Sequence, residues 1–362
     1  MDIYIPLSIF LILLNILSNK NAKSRNAAFV FSFICVFLFA ALRYCFGPDY
    51  FSYWNIYDEI KKYGLGNRAE GEPIFYYYLQ SFPNYTSFII TNSFLWFAIY
   101  YAFFKKYVDS KYYWILLFYL LFTETCVIDA LVAMRSAMCA FIFILAYFAL
   151  IKKKRWLFLL CITVSVFIHT SSIALLPLVL FSIKKESFLF NKKFVYFVCA
   201  FSVIMTFNGH NYLMTLLSQA MVDNVEDLSK YAHYIDDMGS TSSILRHLIL
   251  KLLTIIPLLH IANGARKEND EEYILIYKLG MLVPIIALII GQGMMSRYFM
   301  ILNPFFIVSV VRSFMCSKKE YSVISVLCII VSNLFIFANS ISADYNYSLW
   351  IYRSIFSAPV IP

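Results

Sequence analysis

The sequence is short of charged residues, and acids are the scarcer kind. Charged residues occupy 14% of the 362 positions, with 21 Asp and Glu against 30 Lys and Arg. A soluble globular chain carries roughly 25% charged residues, so this composition excludes the ordinary soluble classes. No polar stretch is long enough to bury a core of its own, which also excludes an attached soluble domain.

Repeats, low-complexity tracts and paired cysteines are also missing. The chain shows no solenoid-type repeat, and its eight cysteines include no CxxC pair. We therefore find no zinc-binding pattern and expect neither a metal nor a cofactor. The formal charge of +9 is typical of Lys and Arg that orient membrane segments, so we expect no nucleic-acid partner.

Apolar residues, by contrast, fill 61% of the sequence and recur in runs of about membrane-spanning length. We predict an all-α, polytopic transmembrane bundle of about 11–12 segments, forming a single integral membrane domain over residues 1–362. The predicted spans are 3–18, 27–42, 87–104, 112–123, 130–151, 156–168, 171–183, 194–208, 246–262, 273–290, 296–314 and 321–339.

The positive-inside rule orients these spans. Basic clusters near residues 20–25, 105–111, 152–155, 184–193, 266–267 and 318–319 all become cytoplasmic under one arrangement. That arrangement requires residues 156–183 to enter and leave as a membrane hairpin that turns at His169. A single tilted span over the same residues is the alternative. Both chain ends are then predicted to be extracytoplasmic.

Two long segments, 43–86 and 209–245, then lie outside the membrane. Both are polar for this chain, and we expect them to carry short helices. Loops of this length in a compact protein are usually functional or disordered. The first has aromatic residues spaced as in an amphipathic helix on the membrane surface: Tyr50, Tyr53, Trp54 and Tyr57.

Arginine is distributed differently from lysine. In this arrangement 15 of 20 Lys are cytoplasmic, whereas six of 10 Arg are at outer positions. Four of these arginines share a depth near the outer leaflet: Arg43, Arg135, Arg246 and Arg297. An arginine at the bilayer edge usually faces a polar cavity or a partner, and its planar fork of donors clamps phosphate. The alternative is snorkelling to lipid headgroups.

Four acids and one histidine lie at the same predicted depth: Asp49, Glu72, Glu124, Asp129 and His169. Glu72 precedes Pro73 and Asp49 follows Gly47-Pro48, so each could instead begin a helix. His169 could be a hydrogen-bonded structural residue. Cations that hold a phosphate, a proton acceptor and many aromatic faces suit glycosyl transfer from a lipid-linked pyrophosphate donor at the outer leaflet.

Five short stretches resemble the EpsG-like, Wzy-type polysaccharide polymerases. Residues 42–53 (LRYCFGPDYFSY) resemble the family signature R-x-x-x-G-x-D-Y-x-x-Y, and 71–75 (GEPIF) its EP element. Residues 134–138 (MRSAM) lie where the family has an Arg-Gln helix start, although Gln is replaced by Ser136. Residues 167–173 (FIHTSSI) are similar to its His-x-Ser turn, and 296–298 (SRY) to its late Arg span.

This resemblance implies an O-antigen or capsule polymerase of the bacterial inner (cytoplasmic) membrane. Its substrate would be undecaprenyl-pyrophosphate-linked glycan, surrounded by membrane lipids, and a chain-length regulator and a flippase could be partners. Residues expected to bind the substrate are Arg43, Arg135, Arg297, Arg246, Tyr50, Tyr53 and Tyr298. We expect the catalytic base to be Glu72 first, then His169, then Asp49.

Two other functions fit the same residues. A lipid-linked glycan ligase would use the same cations with another acceptor. A transporter or flippase of lipid-linked sugars belongs to a different class, but transporters usually bind near the bilayer midplane and often show internal repeats.

Overall fold

The computed structural model describes residues 1–47, 49–66, 71–123, 126–180, 187–208, 244–290, 296–316, 319–341 and 352–356. These residues are almost entirely helical, which agrees with the predicted all-α class. The predicted outer loop 209–245 lies almost wholly outside this described part of the chain.

The described residues form α-helices that we number in chain order. They are α1 (Tyr4–Leu17), α2 (Ala22–Ala41), α3 (Tyr50–Tyr63), α4 (Pro73–Gln80), α5 (Tyr85–Tyr107), α6 (Tyr113–Phe122), α7 (Val127–Val132), α8 (Met134–Ile151), α9 (Arg155–Ile168), α10 (Lys192–Asn208), α11 (Ile244–Lys267), α12 (Glu271–Ile290), α13 (Ser296–Cys316) and α14 (Lys319–Ile341). Three 3₁₀ segments join them: Ser110–Tyr112, Thr170–Leu180 and Phe188–Phe190. Strands β1 (Arg43–Tyr44) and β2 (Arg353–Ser354) pair antiparallel.

Three of these helices, α2, α5 and α8, are long and apolar enough to cross a membrane. Shorter apolar helices accompany them, among them α1, α9 and the apolar part of α13. The described residues thus have the character of a membrane protein, while the number of crossings stays a prediction.

Asparagine caps begin two of the long helices. The side chain of Asn21 accepts a hydrogen bond of 2.8 Å from the backbone N–H of Ser24 at the start of α2. Asn84 does the same for Ser87 at the start of α5, also at 2.8 Å. Each cap satisfies a backbone donor that the first helical turn leaves unpaired, so the sequence fixes both starting points locally.

Two predicted spans differ from the structure. The span 130–151 is interrupted at Ala133, whose φ of −90° and ψ of 69° separate α7 from α8. The described part of the span 171–183 belongs to the 3₁₀ segment Thr170–Leu180, which has Pro177 inside it. Proline removes a backbone donor and its ring clashes with the preceding turn, which disfavours a regular α-helix there.

The chain forms two compact units: Met1–Ser182 with Leu334–Pro362, and Ile183–Asn333. In the first unit, α2 and α8 pack on α5, and α9 packs on both α8 and α4. In the second, α11, α12 and α13 pack on one another, with α10 against α11 and α12. The residues predicted as acid or base all lie in the first unit.

Helix α3 carries the aromatic face predicted from its spacing. Tyr50, Tyr53 and Tyr57 are buried, so this face packs on protein rather than on the membrane surface. The ring of Tyr50 lies 5.4 Å from that of Tyr85, the first residue of α5. The hydroxyl of Tyr57 donates to the carbonyl of Phe82 at 3.0 Å.

Candidate active site

Glu72 joins several polar groups of the first unit through one carboxylate. Its Oε1 lies 2.7 Å from Nδ1 of His169 and accepts a 3.2 Å hydrogen bond from the backbone N–H of Thr170. Its Oε2 forms an ion pair with Nη1 of Arg135. We call Glu72, Arg135 and His169 the Glu72 cluster.

Each member of the Glu72 cluster stands at a helix end. Glu72 immediately precedes Pro73, which suits the first position of α4 because that position needs no backbone donor. Arg135 is the second residue of α8, just after the interruption at Ala133. His169 follows α9 in an extended conformation, with φ −153° and ψ 109°. Because α9 packs on both α4 and α8, the three ends meet.

The Glu72 carboxylate is nearly shielded from solvent. Its side chain is 10% exposed, and that of His169 is 6% exposed. Burial by itself raises the pKa of Glu72, since it disfavours the charged form. The hydrogen bond to His169 and the charge of Arg135 outweigh burial and lower this pKa to about 2. The carboxylate is therefore ionised at neutral pH and is a weak proton acceptor.

Arg135 is held on several sides and is still partly exposed. Its Nε donates to the hydroxyl of Tyr53 at 3.4 Å. Its guanidinium carbon lies 5.7 Å from the ring centroids of both Tyr53 and Phe75. The side chain is nevertheless 27% exposed. Its contacts with described residues are made by Nε and Nη1.

Arg43 is buried rather than presented at a surface. It is only 1% exposed. Its Nη1 donates to the carbonyl of Ala40 and, at 3.2 Å, to the hydroxyl of Ser93. Its Nη2 lies 3.5 Å from Sδ of Met134. The structure thus places Arg43 against the residue that precedes Arg135, with Nη1 and Nη2 directed at protein groups.

Three other predicted residues, Asp49, Tyr50 and Tyr53, belong to α3 and its start. Asp49 immediately precedes the helix, and its backbone carbonyl accepts a 3.0 Å hydrogen bond from the N–H of Tyr53. Burial raises the pKa of Tyr53, while the nearby charge of Arg135 opposes this shift. Tyr50 accepts a 3.2 Å hydrogen bond at its carbonyl from the Tyr85 hydroxyl. Tyr53 contacts the Glu72 cluster directly, because its hydroxyl accepts from Arg135.

The remaining predicted residues are in the second unit. Arg246 lies in the first turn of α11, and Arg297 and Tyr298 lie in the first turn of α13. Their side chains are outside the described residues. Their roles therefore stay predictions.

Sequence reasoning did not anticipate two contacts of the Glu72 cluster. Phe75 was part of a recognised motif, but its spacing gave no sign that its ring would lie against Arg135. The hydrogen bond from the backbone N–H of Thr170 to Glu72 could not be predicted, because it does not depend on the type of side chain at position 170. Among the described residues, no group of three or more His, Cys, Asp or Glu side chains could hold a metal ion.

A comparison with protein families gives a match over most of the chain. The model of the EpsG family matches residues 26–354, a range that contains every predicted site residue. Comparison with curated proteins and with solved structures gives no match.

Proposed function

Because the chain belongs to the EpsG family, we propose that it polymerises oligosaccharide repeat units linked to undecaprenyl pyrophosphate. The proposed location is the outer leaflet of the bacterial inner membrane, and the proposed reaction is glycosyl transfer without a metal cofactor. The Glu72 cluster supports this proposal most directly. It combines a partly exposed guanidinium with a carboxylate–histidine pair, which are the groups that such a transfer needs.

The proposed step is a direct displacement that inverts the anomeric centre. A hydroxyl oxygen of the acceptor repeat forms a bond to the anomeric carbon of the donor glycan. The bond between that carbon and the pyrophosphate oxygen breaks, and the pyrophosphate leaves with the electron pair. The hydroxyl proton passes to a base on the protein. The products are a longer glycan on the acceptor lipid and undecaprenyl pyrophosphate.

His169 is the better base on the geometry of the cluster, although the sequence favoured Glu72. A carboxylate with a pKa of about 2 is poorly matched to proton transfer near neutral pH. Nδ1 of His169 faces Glu72 at 2.7 Å. With the proton on Nδ1, the lone pair lies on Nε2, which is buried in the structure and must be uncovered when the acceptor binds before it can take the acceptor proton. Glu72 then orients the imidazole and stabilises the imidazolium ion.

Arg135 is the proposed ligand of the donor diphosphate. It is the member of the Glu72 cluster with the largest exposed fraction, and phosphate suits its planar fork. Its positive charge would pair with the diphosphate both before and during the transfer, so weakening this contact should raise KM more than it lowers kcat. Arg246, Arg297 and Tyr298 remain proposed substrate ligands, to be tested by their own substitutions. A chain-length regulator and a flippase remain proposed partners.

Reconstitution tests this function. Purified protein in liposomes with a lipid-linked repeat unit should produce a ladder of longer glycans on a gel. His169→Gln should lower the rate by roughly 10²- to 10⁴-fold, the usual contribution of a positioned base. His260→Gln is the matched control, because His260 is also buried but packs on Phe314 in the second unit; it should retain the ladder.

Other products would contradict the proposal. Movement of the repeat across the bilayer without lengthening would indicate a transporter. Transfer of glycan onto a different carrier lipid would indicate a ligase. A wild-type protein that leaves the repeat unit unchanged, in liposomes that hold both donor and acceptor, would remove polymerisation altogether.

The pH dependence separates the two candidate bases. If His169 is the base, the rate falls on acidification as the imidazole is protonated. Glu72→Gln removes the anion that stabilises the imidazolium ion, so the acid limb of the profile should move to lower pH and kcat should fall. An acid limb that disappears in Glu72→Gln would instead identify Glu72 as the base.

A further inference from the structure

The last described residues of the chain pair with the segment that carries Arg43. Strand β2 pairs with β1 so that Ser354 is opposite Arg43 and Arg353 is opposite Tyr44. The backbone N–H of Ile355 donates to the carbonyl of Leu42 at 2.9 Å. We call residues 352–355 the C-terminal clamp. The EpsG family match ends at residue 354, inside this clamp.

Tyr352 fastens the C-terminal clamp to two other parts of the first unit. Its ring stacks on that of Phe39, with centroids 4.4 Å apart, and its hydroxyl donates to the Phe39 carbonyl at 2.9 Å. Its backbone N–H donates to Oδ1 of Asp2 at 3.0 Å. The clamp is therefore held by side-chain and backbone contacts, not by its two-residue strand alone.

The C-terminal clamp lies beside a buried cation. A guanidinium that is 1% exposed is costly to bury, so its geometry must be maintained by its surroundings. Nε of Arg43 has no hydrogen-bond partner among the described residues. Its other nitrogens contact α2, α5 and α8 through Ala40, Ser93 and Met134. Burial raises the pKa of Tyr352 to about 12, although Arg43 nearby opposes this shift.

We infer that the C-terminal clamp is a positioning element of the active site, acting through Arg43 on Arg135. The clamp fixes the strand that carries Arg43, and Arg43 contacts Met134, the residue before Arg135. Arg43 is then a positioning residue rather than a diphosphate ligand. This inference rests on the proposed function for its consequence, because Arg135 is the proposed diphosphate ligand.

A double-mutant cycle tests this route. The variants are Tyr352→Leu, Arg43→Lys and their combination, and Arg43→Lys keeps the charge but loses the planar fork. The probe is undecaprenyl pyrophosphate, whose Kd is measured together with KM and kcat for the lipid-linked repeat. Tyr352→Leu should raise Kd and KM about five- to tenfold while kcat stays nearly constant. The reason is that Tyr352 is coupled through Arg43 to Arg135, and a displaced Arg135 binds the diphosphate less tightly.

In the Arg43→Lys background, Tyr352→Leu should add less than about a twofold change, since the route through Arg43 is already broken. Phe356→Leu is the matched control, because its ring is 82% exposed just after the clamp; it should bind like the wild type. Ile355→Pro is a second variant, which deletes the donor to Leu42 without shortening a side chain at the site. It should raise Kd as Tyr352→Leu does.

Independent, multiplicative losses in the cycle would overturn the inference, as would a wild-type Kd in Tyr352→Leu. Failure of the proposed function gives a different result, because wild-type protein would then leave the glycan unextended whatever its Kd for the probe. In that case the same cycle measured in melting temperature decides the inference. Non-additive losses of Tm support the link from Tyr352 to Arg43, and additive losses refute it.

Discussion

Glu72 accepts hydrogen bonds through both carboxylate oxygens, and this arrangement sets the acid stability of its surroundings. Its pKa in the folded protein is about 2, below the ordinary value of 4.5. The stabilisation from a lowered carboxyl pKa is complete above the unfolded value and is lost as pH falls through the folded one. The stabilisation that Glu72 contributes is therefore lost as the pH falls from about 4.5 to about 2.

Comparison of the wild type with Glu72→Gln isolates this contribution from those of other carboxylates. We expect the wild type to have the higher Tm near neutral pH, because the neutral amide cannot pair with Arg135. The difference in Tm should shrink as pH falls from about 4.5 to about 2. The measurement is thermal unfolding in detergent across this range. A difference that does not change with pH would contradict the lowered pKa.

Phe75 gives a second prediction at the scale of single residues. Its ring is fully buried and lies 5.7 Å from the guanidinium carbon of Arg135. Phe75→Leu keeps an apolar side chain but loses the cation–π contact, which is worth about 0.5–2 kcal/mol. We expect KM for the lipid-linked donor to rise about two- to thirtyfold with kcat little changed.

Phe82→Leu provides the control for Phe75→Leu. Phe82 belongs to the same aromatic group, with its ring 5.6 Å from that of Phe88, and it follows α4 instead of lying under Arg135. The KM of Phe82→Leu for the lipid-linked donor should match that of the wild type. Equal increases in KM for both variants would show that general packing, and not support of Arg135, is responsible.

The sequence suggested the members of the Glu72 cluster but not their contacts. Glu72, His169 and Arg135 were each selected by predicted depth and by motif. Their meeting depends on three helix ends, one of which exists only because the chain breaks at Ala133. The burial of Arg43 was beyond sequence reasoning, because its covering strand comes from residues more than 300 positions later.

Helices were more predictable than their irregularities. The predicted spans 87–104, 194–208 and 273–290 correspond closely to α5, α10 and α12, because long apolar runs and capping asparagines are local signals. The break at Ala133 could not be predicted, because no glycine or proline lies near it in the sequence. The 3₁₀ segment after His169 contains Pro177, a residue that disfavours an α-helix, yet its apolar run was predicted as a span like the others.

Close helix packing in the second unit gives a prediction at the scale of elements. A Cβ added at Gly264 on α11 would meet the Ser313 hydroxyl and lie 2.9 Å from its Cα. Small residues allow helix backbones to approach this closely. Gly264→Ala should therefore destabilise the protein by about 1–3 kcal/mol, the usual cost of overpacking, measured as a lower melting temperature in detergent.

Gly71→Ala is the control for Gly264→Ala, because a Cβ at Gly71 has no heavy atom within 4 Å. It should melt like the wild type. The double variant Gly264→Ala with Ser313→Gly removes the clashing side chain and should recover part of the loss. A Gly264→Ala protein as stable as the wild type would mean that α11 and α13 are farther apart than described.

At the scale of the whole molecule, the contact between the two ends of the described chain bears on the number of membrane crossings. The N–H of Tyr352 donates to Asp2, so residues 2 and 352 are on the same side of any membrane that the chain spans. We therefore predict an even number of crossings between them. With 156–183 as a hairpin the predicted spans number about 12, and with one tilted span about 11. The contact between Asp2 and Tyr352 thus favours the hairpin.

Reporter fusions test this parity directly. The hairpin places residue 193 in the cytoplasm, because the basic cluster at 184–193 then follows the positive-inside rule. GFP fused after Lys193 should fluoresce, and alkaline phosphatase fused there should be inactive. Alkaline phosphatase fused after Pro362 should be active if the chain end is outside, and phosphatase fused ahead of Met1 should give the same result.

Active phosphatase after Lys193 would indicate the single tilted span. Because that span makes the count odd, residues 2 and 352 would lie on opposite sides, and the Asp2–Tyr352 hydrogen bond, with the C-terminal clamp, could not form in the membrane.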